Sequence, residues 1–297
     1  MNILELSHVE KRFGSKKVLS DVSFSVPKHC VFGFIGRNGA GKTTTMKSVL
    51  GLIPVDGGTI SVCGEKVVFG NSPTNRHVGY LPDVPEFYGY MTAQEYLKLC
   101  GSITNMKASE CEARSKELLE LVGLVDEKHR IKGFSRGMKQ RLGIAQALLN
   151  RPKLLICDEP TSALDPVGRR EILDLLVAAR GETSVVFSTH ILSDVERICS
   201  HVAMLEDGKI MCSGTIDEIR QMRQDAPLEL VPAADITEVA AYFPQAVIEG
   251  EKLVFENADA KAAEEIMQTL LKHHIPVTRL ERCETNLEQL FMEVVQK

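Results

Sequence analysis

Residues 36–43 form a glycine-rich segment, Gly-Arg-Asn-Gly-Ala-Gly-Lys-Thr, which matches the pattern G-x-x-x-x-G-K-[ST]. Glycines let the backbone curl so that successive N–H groups point at phosphate oxygens, and the following helix adds the positive end of its dipole. In this pattern Lys42 reaches the β- and γ-phosphates of a nucleoside triphosphate, and the Thr43 hydroxyl is a ligand for Mg²⁺. A plain glycine turn between a strand and a helix is the alternative. The candidate phosphate-binding residues are Gly36, Arg37, Asn38, Gly39, Ala40, Gly41, Lys42, Thr43 and Thr44.

Two adjacent carboxylates follow a short apolar segment near the middle of the chain. Residues 154–157 read Leu-Leu-Ile-Cys, and Asp158 and Glu159 come next. An aspartate at the exposed end of a buried strand can hold the Mg²⁺ that bridges the phosphates. The neighbouring glutamate is placed to orient or deprotonate a water molecule. An ordinary strand ending in solvated acids is the alternative, but the phosphate-binding loop favours a metal ligand at Asp158 and a catalytic residue at Glu159.

Both motifs must be positioned by strands that alternate with helices. Short apolar segments bounded by Gly or Pro are typical of strands buried on both faces, and helical segments separate them along the chain. This alternation predicts an α/β fold with a parallel sheet. The predicted elements are strands at 30–35, 154–157 and 184–188, with helices at 42–52 and 165–179.

The segment between the glycine-rich loop and the paired carboxylates is mainly helical in pattern. Thr92 and Glu95 have the spacing of a capping box, which predicts the start of a helix. Amphipathic patterns predict further helices at 108–123 and 137–150. We therefore expect a helical subdomain at about 85–150.

The overall composition is that of an ordinary globular protein, with 44% hydrophobic and 25% charged residues among 297. The formal net charge of -5 argues against nonspecific binding to nucleic acid, so we expect no nucleic-acid partner. Eight scattered cysteines without a Cys-x-x-Cys pair predict free thiols in a reducing compartment. No apolar run approaches the roughly 18 residues that a membrane-spanning helix needs, and no signal peptide is visible, so we expect a cytoplasmic location.

The C-terminal part of the chain differs from the rest in charge and in pattern. Residues 221–297 hold 7 Lys and Arg against 14 Asp and Glu, whereas residues 1–220 are close to neutral. This shift predicts a domain boundary near residue 220. The tail has the predicted order β-α-β-β-α-β, that of ferredoxin-like domains, and a last helix is predicted at 286–295. We therefore expect a small α+β accessory domain at 221–297.

Three further segments complete an ordered set of motifs. Residues 134–141 read Phe-Ser-Arg-Gly-Met-Lys-Gln-Arg, residues 162–165 read Ser-Ala-Leu-Asp, and residues 188–190 read Ser-Thr-His. Together with the glycine-rich loop and the paired carboxylates, they resemble the motifs of ATP-binding subunits of ABC transporters over residues 1–215. The resemblance implies a P-loop NTPase core with a helical subdomain, ATPase activity, and ATP and Mg²⁺ as cofactors.

The resemblance also implies roles for individual residues. Phe13 matches an aromatic residue that stacks on adenine, although a phenylalanine packed on the core is the alternative. Ser135 and Gly137 match residues that contact the γ-phosphate of an ATP molecule held by a second copy. Asp165 matches a residue that couples the two facing sites. His190 matches a residue that contacts the γ-phosphate and supports the attacking water, so we predict Lys42, Glu159 and His190 as the catalytic residues.

Two departures from the family pattern change the chemistry locally. Asp83 occupies a position where the family often has glutamine, and its carboxylate can still ligate Mg²⁺ or position water. We therefore predict Asp83 as a third metal ligand, beside Thr43 and Asp158. Arg136 and Met138 replace the commoner Gly and Gln in the 134–141 motif. The rate of turnover depends on what these replacements do.

The leading functional hypothesis is an ATPase subunit that dimerises around two ATP molecules and drives a separate polytopic permease. The second subunit is another copy of the chain or a paralogous ATPase, and the complex lies at the inner face of the cell membrane. Residues 84–91 are rich in aromatic residues and match a segment that, in members of this family, lines a groove for a permease helix. The alternative is that these aromatic residues seal the helical insert onto the sheet.

Residues 79–83, 135–141 and 286–291 resemble exporter-type ATPases more than nutrient importers. A non-transport ATPase that acts in the cytosol, in DNA repair or translation, is the competing hypothesis. A nucleotide-binding regulator without turnover would lack a catalytic acid, and Glu159 argues against it.

Overall fold

The computed structural model describes residues 2–221, 227–256, 258 and 260–282. The chain divides into two compact units, Met1–Ile216 and Asp217–Lys297. The charge shift predicts a boundary at residue 220, which is close to this division. Each unit has its own cluster of buried apolar residues. Within the described ranges, no helix is long and apolar enough to cross a membrane.

The first unit is an α/β structure. Its strands are β1 (Asn2–Phe13), β2 (Lys16–Pro27), β3 (Val31–Ile35), β4 (Gly57–Val62), β5 (Glu65–Lys66), β6 (Val78–Leu81), β7 (Leu154–Asp158), β8 (Ser184–Thr189), β9 (His201–Glu206) and β10 (Lys209–Thr215). Its helices, together with the helix at the unit boundary, are α1 (Lys42–Val49), α2 (Ala93–Ile103), α3 (Ala108–Leu121), α4 (Arg136–Leu148), α5 (Pro166–Ala179), α6 (Leu192–Ile198) and α7 (Ile216–Gln221).

A six-stranded sheet forms the centre of this unit, with the strand order β10-β9-β3-β8-β7-β6. All pairs are parallel except β9 with β10, which is antiparallel. Every residue of β3, β7 and β8 is buried, as expected of parallel strands covered on both faces. The predicted parallel α/β sheet is confirmed. The carboxyl ends of these three neighbouring strands lie at the same edge, where the predicted site residues follow.

A second sheet is antiparallel, with the order β2-β1-β4-β5. Phe24 of β2 stacks on Phe32 and Phe34 of β3, with ring centroids 5.6 and 5.2 Å apart, so the two sheets share one core. Sequence patterns did not indicate β1 and β2. Both strands contain register shifts, and such irregularities interrupt the alternation of apolar and polar residues by which a strand is recognised.

The helices α2, α3 and α4 form an insert between β6 and β7. Helix α2 packs on α3, and α3 packs on α4. The predicted capping box is present, because Glu95 N donates to Thr92 Oγ1 at 3.3 Å and Thr92 N donates to Glu95 Oε2 at 2.8 Å. Accepting that backbone hydrogen bond lowers the pKa of Glu95. Residues 85–91, at the start of the predicted helical span, form a loop that leads into α2.

The second unit is an α+β structure. Its elements are β11 (Leu228–Pro232), α8 (Ile236–Ala240), β12 (Val247–Glu249), β13 (Lys252–Phe255), α9 (Ala260–Lys272) and β14 (Val277–Arg282). The sheet order β12-β13-β11-β14, with antiparallel pairs throughout, is the split βαβ arrangement of ferredoxin-like domains. Ile266 and Leu270 of α9 are buried with Leu230 and Phe255 of the sheet. The helix predicted at 286–295 lies outside the described residues.

Candidate active site

The loop that joins β3 to α1 requires glycine at specific positions. Gly39 and Gly41 have φ angles of 86° and 114°, in the left-handed region that favours glycine. A Cβ atom at Gly36 would lie 2.4 Å from the carbonyl oxygen of Leu205, so this position cannot carry a side chain. Among the described residues, no side chain caps the N-terminus of α1. The backbone N–H groups of this loop and the first turn of α1 are therefore arranged as a cradle for an anion.

Lys42 is the first residue of α1 and is buried beneath this loop. Its ammonium nitrogen donates to the carbonyl oxygens of Gly36 and Arg37, at 2.6 and 3.3 Å. The same nitrogen lies 3.0 Å from Glu159 Oε1. A buried ammonium is stable only with hydrogen-bond acceptors and a counter-charge, and Lys42 has both. The loop and the paired carboxylates, which are far apart in sequence, are thus joined by one ion pair.

Glu159 lies directly after β7, and its carboxylate lies between the side chains of Lys42 and His190. One oxygen faces Lys42, and the other lies 2.9 Å from Nδ1 of His190. An ionised carboxylate only accepts hydrogen bonds, so the Nδ1–H group of His190 is the donor and Glu159 Oε2 is the acceptor. That contact fixes the tautomer and leaves Nε2 as the second polar atom of the ring. The structure therefore brings together all three predicted catalytic residues, in an arrangement that can hold a water molecule and accept its proton.

Asp158 and Glu159 are held by a single hydroxyl group. Ser188 Oγ donates to Asp158 Oδ1 at 2.6 Å and accepts from the backbone N–H of Glu159 at 3.0 Å. The hydroxyl is buried at the end of β8, where Ser188 pairs in register with Asp158 of β7. Glu159 itself has a φ angle of 48°, which is strained for a residue other than glycine. Ser188 therefore positions the carboxylate of Asp158 and the backbone of Glu159, a role that the sequence motif did not reveal.

A divalent cation at this site would be bound by oxygen atoms. Asp158 supplies a carboxylate at the strand end, and Thr43 supplies a hydroxyl group in the first turn of α1. Hard oxygen donors of this kind fit Mg²⁺, which usually keeps water and phosphate oxygens among its ligands. In the described residues no group of three or more His, Cys, Asp or Glu could hold a metal by itself, and the described cysteines are free thiols. The donor set thus fits a cation that arrives with a nucleotide, and the roles of Asp158 and Thr43 as its ligands stay a prediction.

Asp83, the third predicted metal ligand, is in contact with two other side chains. Ser162 Oγ donates to Asp83 Oδ1 at 2.5 Å, and Arg136 Nη2 lies 3.7 Å from the same oxygen. Burial, with the nearby carboxylates of Asp158 and Asp83 adding to it, raises the pKa of Tyr80 to about 12. The Asp83 side chain thus lies near the site, in a network of its own, and its role as a metal ligand stays a prediction.

Ser135 and Asp165 both cap helices. At the start of α4, Ser135 Oγ accepts a hydrogen bond from the backbone N–H of Met138 at 3.2 Å. At the start of α5, Asp165 Oδ1 accepts one from the backbone N–H of Gly168 at 2.9 Å. Such caps satisfy amide groups that have no partner within their helix. Gly137 lies in the first turn of α4, where a Cβ atom would meet only Ser135 Oγ, at 4.0 Å. The N-terminus of α4 is therefore open to a close approach by another molecule.

Phe13 ends β1 with an exposed ring, 48% accessible to solvent. The alternative that it packs on the core is therefore wrong. The ammonium group of Lys11 lies 5.2 Å from the ring centroid, within the range of a cation–π interaction. The exposed face of the ring is available for stacking, although its contact with adenine stays a prediction.

Below the site, a second buried hydroxyl–carboxylate pair was not predicted. Thr161 Oγ1 donates to Asp194 Oδ2 at 2.8 Å, and both residues are buried. Burial raises the pKa of Asp194. The pair joins the turn after Glu159 to helix α6, which follows His190. Only the polar residue types themselves could have indicated it from sequence.

The glycine-rich loop lies between a buried parallel strand and a helix, and its lysine is paired with a glutamate at the end of another strand. This arrangement is typical of folds that hydrolyse nucleotides. The fold and the site together define a P-loop NTPase.

The comparisons with known proteins identify the family within this class of NTPases. A family model described as "ABC transporter" matches residues 19–162. The uncharacterized ABC transporter ATP-binding protein YxlF of Bacillus subtilis is 37% identical over 99% of each chain. The chain belongs to the ABC transporter family, as one of its ATP-binding subunits.

Two further comparisons, one with a relative and one with a solved structure, agree with this assignment. The Nod factor export ATP-binding protein I of Burkholderia lata is 34% identical over 98% of this chain and 96% of its own. A solved structure of the ATP binding subunit of an ABC transporter is 33% identical, with a TM-score of 0.66, over 74% of this chain and 92% of its own. Subunits of this family hydrolyse ATP, and they work with membrane permease components. The chain is accordingly an ATP-binding ATPase.

We expect Ser188→Ala to lower both stability and turnover. Removing the hydroxyl leaves Asp158 without its donor and the Glu159 N–H without one acceptor, which costs about 1–3 kcal/mol of unfolding free energy. Loss of position at Glu159 lowers kcat by about 10- to 100-fold. Steady-state ATPase assays and chemical denaturation measure the two effects.

Ser184→Ala is the matched control, because Ser184 is buried at the other end of β8 and accepts a backbone hydrogen bond from His29 at 2.8 Å. It should cost a similar free energy of unfolding without lowering kcat. Equal losses of kcat in the two variants would show that Ser188 acts only through stability.

Proposed function

We propose that this chain binds MgATP, dimerises around two ATP molecules, and uses hydrolysis to drive export through a separate membrane permease. The observation that carries the proposal is the contact of one carboxylate, Glu159, with both Lys42 and His190. In this proposal Lys42 binds the β- and γ-phosphates, Glu159 orients and deprotonates water, and His190 supports that water beside the γ-phosphate. Asp158 and Thr43 hold the Mg²⁺, which supplies charge neutralisation on the phosphates.

Nucleotide binding draws on residues around the cradle. The backbone from Gly36 to Gly41 surrounds the phosphates, with Thr43 and Thr44 following on α1, and Phe13 stacks on the base. The cradle supports this role because its glycines allow close approach and no described side chain caps α1. Positive charge comes from Lys42 and the helix terminus rather than from a basic surface, since the net charge is negative.

A second copy completes each site in this proposal. Ser135 caps α4 and Gly137 lies in its first turn, so the exposed N-terminus presents amide groups and a hydroxyl to the γ-phosphate bound by the other copy. Asp165 caps α5 and couples the two facing sites. Because an N-terminus favours an anion, closure is strongest when the γ-phosphate is present and weaker after its release.

The groove beside the helical insert supports docking of a permease helix. It has a volume of about 490 Å³ and an apolar wall formed by Val84, Pro85, Phe87 and Ile131. Phe87 packs edge-on against Tyr96 of α2, with ring centroids 5.0 Å apart, so it also holds the loop to the insert. Tyr88 and Tyr90 instead remain 55% and 63% exposed. The aromatic segment thus combines a sealing residue with two exposed rings suited to a partner.

Export, rather than import, is the proposed direction. The relative from Burkholderia lata, whose name contains the word export, matches nearly the whole chain, including the C-terminal unit. The chain would then act at the cytoplasmic face of the membrane, held there by the permease. The C-terminal unit, more acidic than the rest, is proposed as a regulatory or dimer-contact module rather than an ATP site.

We expect Ser135→Asp to weaken ATP-dependent dimers while leaving helix α4 intact. Aspartate caps a helix as well as serine does, so the fold is retained, but its charge faces the γ-phosphate of the opposing copy. Like charges brought together cost enough to weaken the dimer at least about tenfold. Sedimentation velocity with Mg²⁺ and a non-hydrolysable ATP analogue measures this.

Ser135→Asn is the matched variant, because asparagine caps equally well without a charge. It should dimerise within a few-fold of the unchanged chain. If Ser135→Asp dimerises as strongly as Ser135→Asn, the N-terminus of α4 does not face a phosphate and the proposed dimer is incorrect.

The groove is tested by expressing the tagged chain in its native cells and measuring the polytopic membrane protein that copurifies with it from detergent-solubilised membranes. Tyr90→Ala removes an exposed ring at the groove loop, and we expect it to reduce recovery of the complex by about tenfold or more. Tyr242→Ala, which truncates a tyrosine of the C-terminal unit that is 47% exposed, is the control and should not reduce recovery. Undiminished recovery with Tyr90→Ala would exclude this ring from the permease contact.

A further inference from the structure

Three side chains from separate segments form a directed network beside the active site. Ser162 Oγ donates to Asp83 Oδ1 at 2.5 Å, and Arg136 Nη2 donates to Ser162 Oγ at 3.3 Å. The guanidinium nitrogen also lies 3.7 Å from Asp83 Oδ1. A guanidinium group only donates, a carboxylate only accepts, and a hydroxyl group does both. Each group therefore uses its own capacity, and the serine hydroxyl connects the two charges.

The stability of its own helix does not explain Arg136. It is the first residue of α4, where the positive end of the helix dipole disfavours a cation. The first turn of α4 contains no acidic residue that could offset this cost. The nearest carboxylate comes from another segment, at Asp83, so the favourable partners of this arginine are Asp83 and Ser162.

Ser162 connects this network to the turn that carries Glu159. The backbone N–H of Ser162 donates to the carbonyl oxygen of Glu159 at 3.0 Å. Within this turn Glu159 and Ala163 have φ angles of 48° and 51°, both in the left-handed region. Residues other than glycine are strained there and keep that conformation only when the surroundings constrain them. The side-chain contacts of Ser162 are one such constraint, since they attach the turn to Asp83 and Arg136.

We propose that Arg136 is a positioning residue, which acts through Asp83 and Ser162 to hold Glu159 for hydrolysis. The inference depends on the catalytic role proposed above for Glu159. It differs from a role in which Arg136 contacts a phosphate of the opposing ATP. A positioning residue changes kcat, whereas a residue that binds phosphate in the ground state changes KM for ATP.

The test compares Arg136→Ala, Ser162→Ala and the double variant in steady-state ATPase assays of the full chain. Each single change is expected to lower kcat by about three- to tenfold, with KM for ATP within about twofold of the unchanged chain. Both residues act through one network, so their effects on kcat should not multiply. The kcat of the double variant should lie within about twofold of the kcat of the less active single variant. Neither side chain is buried, and circular dichroism verifies that each variant is folded.

Arg76→Ala is the matched control, because Arg76 also forms an exposed ion pair, 2.6 Å from Glu65, and should leave kcat and KM unchanged. Multiplicative losses in the double variant, or a raised KM with unchanged kcat in Arg136→Ala, would overturn the proposal. His190→Ala tests the proposed hydrolysis separately. Unchanged kcat in that variant would count against the roles of Glu159 and His190, whatever the coupling between Arg136 and Ser162.

Discussion

The carboxylate of Glu159 lies between the ammonium group of Lys42 and the imidazole of His190, and the rest of the site is arranged around this contact. A buried ammonium requires a nearby anion, and an enclosed carboxylate requires nearby positive charge or hydrogen-bond donors. Lys42 and His190, from two other segments of the chain, meet these requirements at 3.0 and 2.9 Å from Glu159. The same carboxylate is proposed to receive the proton of the attacking water. The pairing of charges that stabilises Lys42 therefore also places the proposed catalytic base in the site.

The central sheet makes this contact possible. Strands β3, β8 and β7 are neighbours, parallel and buried throughout, so their carboxyl ends deliver the phosphate loop, His190 and the paired carboxylates to one edge. The register that pairs Asp158 with Ser188 places a hydroxyl where both carboxylate residues need a partner. Local strain at Glu159 is thus opposed by contacts from β8 and from the network of Ser162, Asp83 and Arg136. A rigid sheet and a constrained turn together position one side chain.

The features predictable from sequence were those carried by contiguous residues. The loop 36–43, the paired carboxylates and the capping box at Thr92 each combine residue types that require a particular backbone, and their elements were found. The long-range contacts of Ser188 with Asp158, and of Arg136 with Ser162, depend on which strands and loops become neighbours, which no local pattern encodes. Irregular pairing concealed β1 and β2. The sequence left open whether Phe13 and the aromatic residues after Asp83 are exposed or packed, and only the structure distinguishes these alternatives.

The most direct measurement of the central claim is single-turnover ATP hydrolysis by Glu159→Gln, with ATP binding measured on the same preparation. Glutamine keeps the shape of the side chain but cannot accept a proton, and it removes the anion that pairs with Lys42. Hydrolysis should therefore fall by about 100-fold or more, while ATP affinity is retained or increased because Lys42 is freed for phosphate. Hydrolysis close to that of the unchanged chain would contradict the account, since the carboxylate at the centre of the site would then not be needed for the reaction.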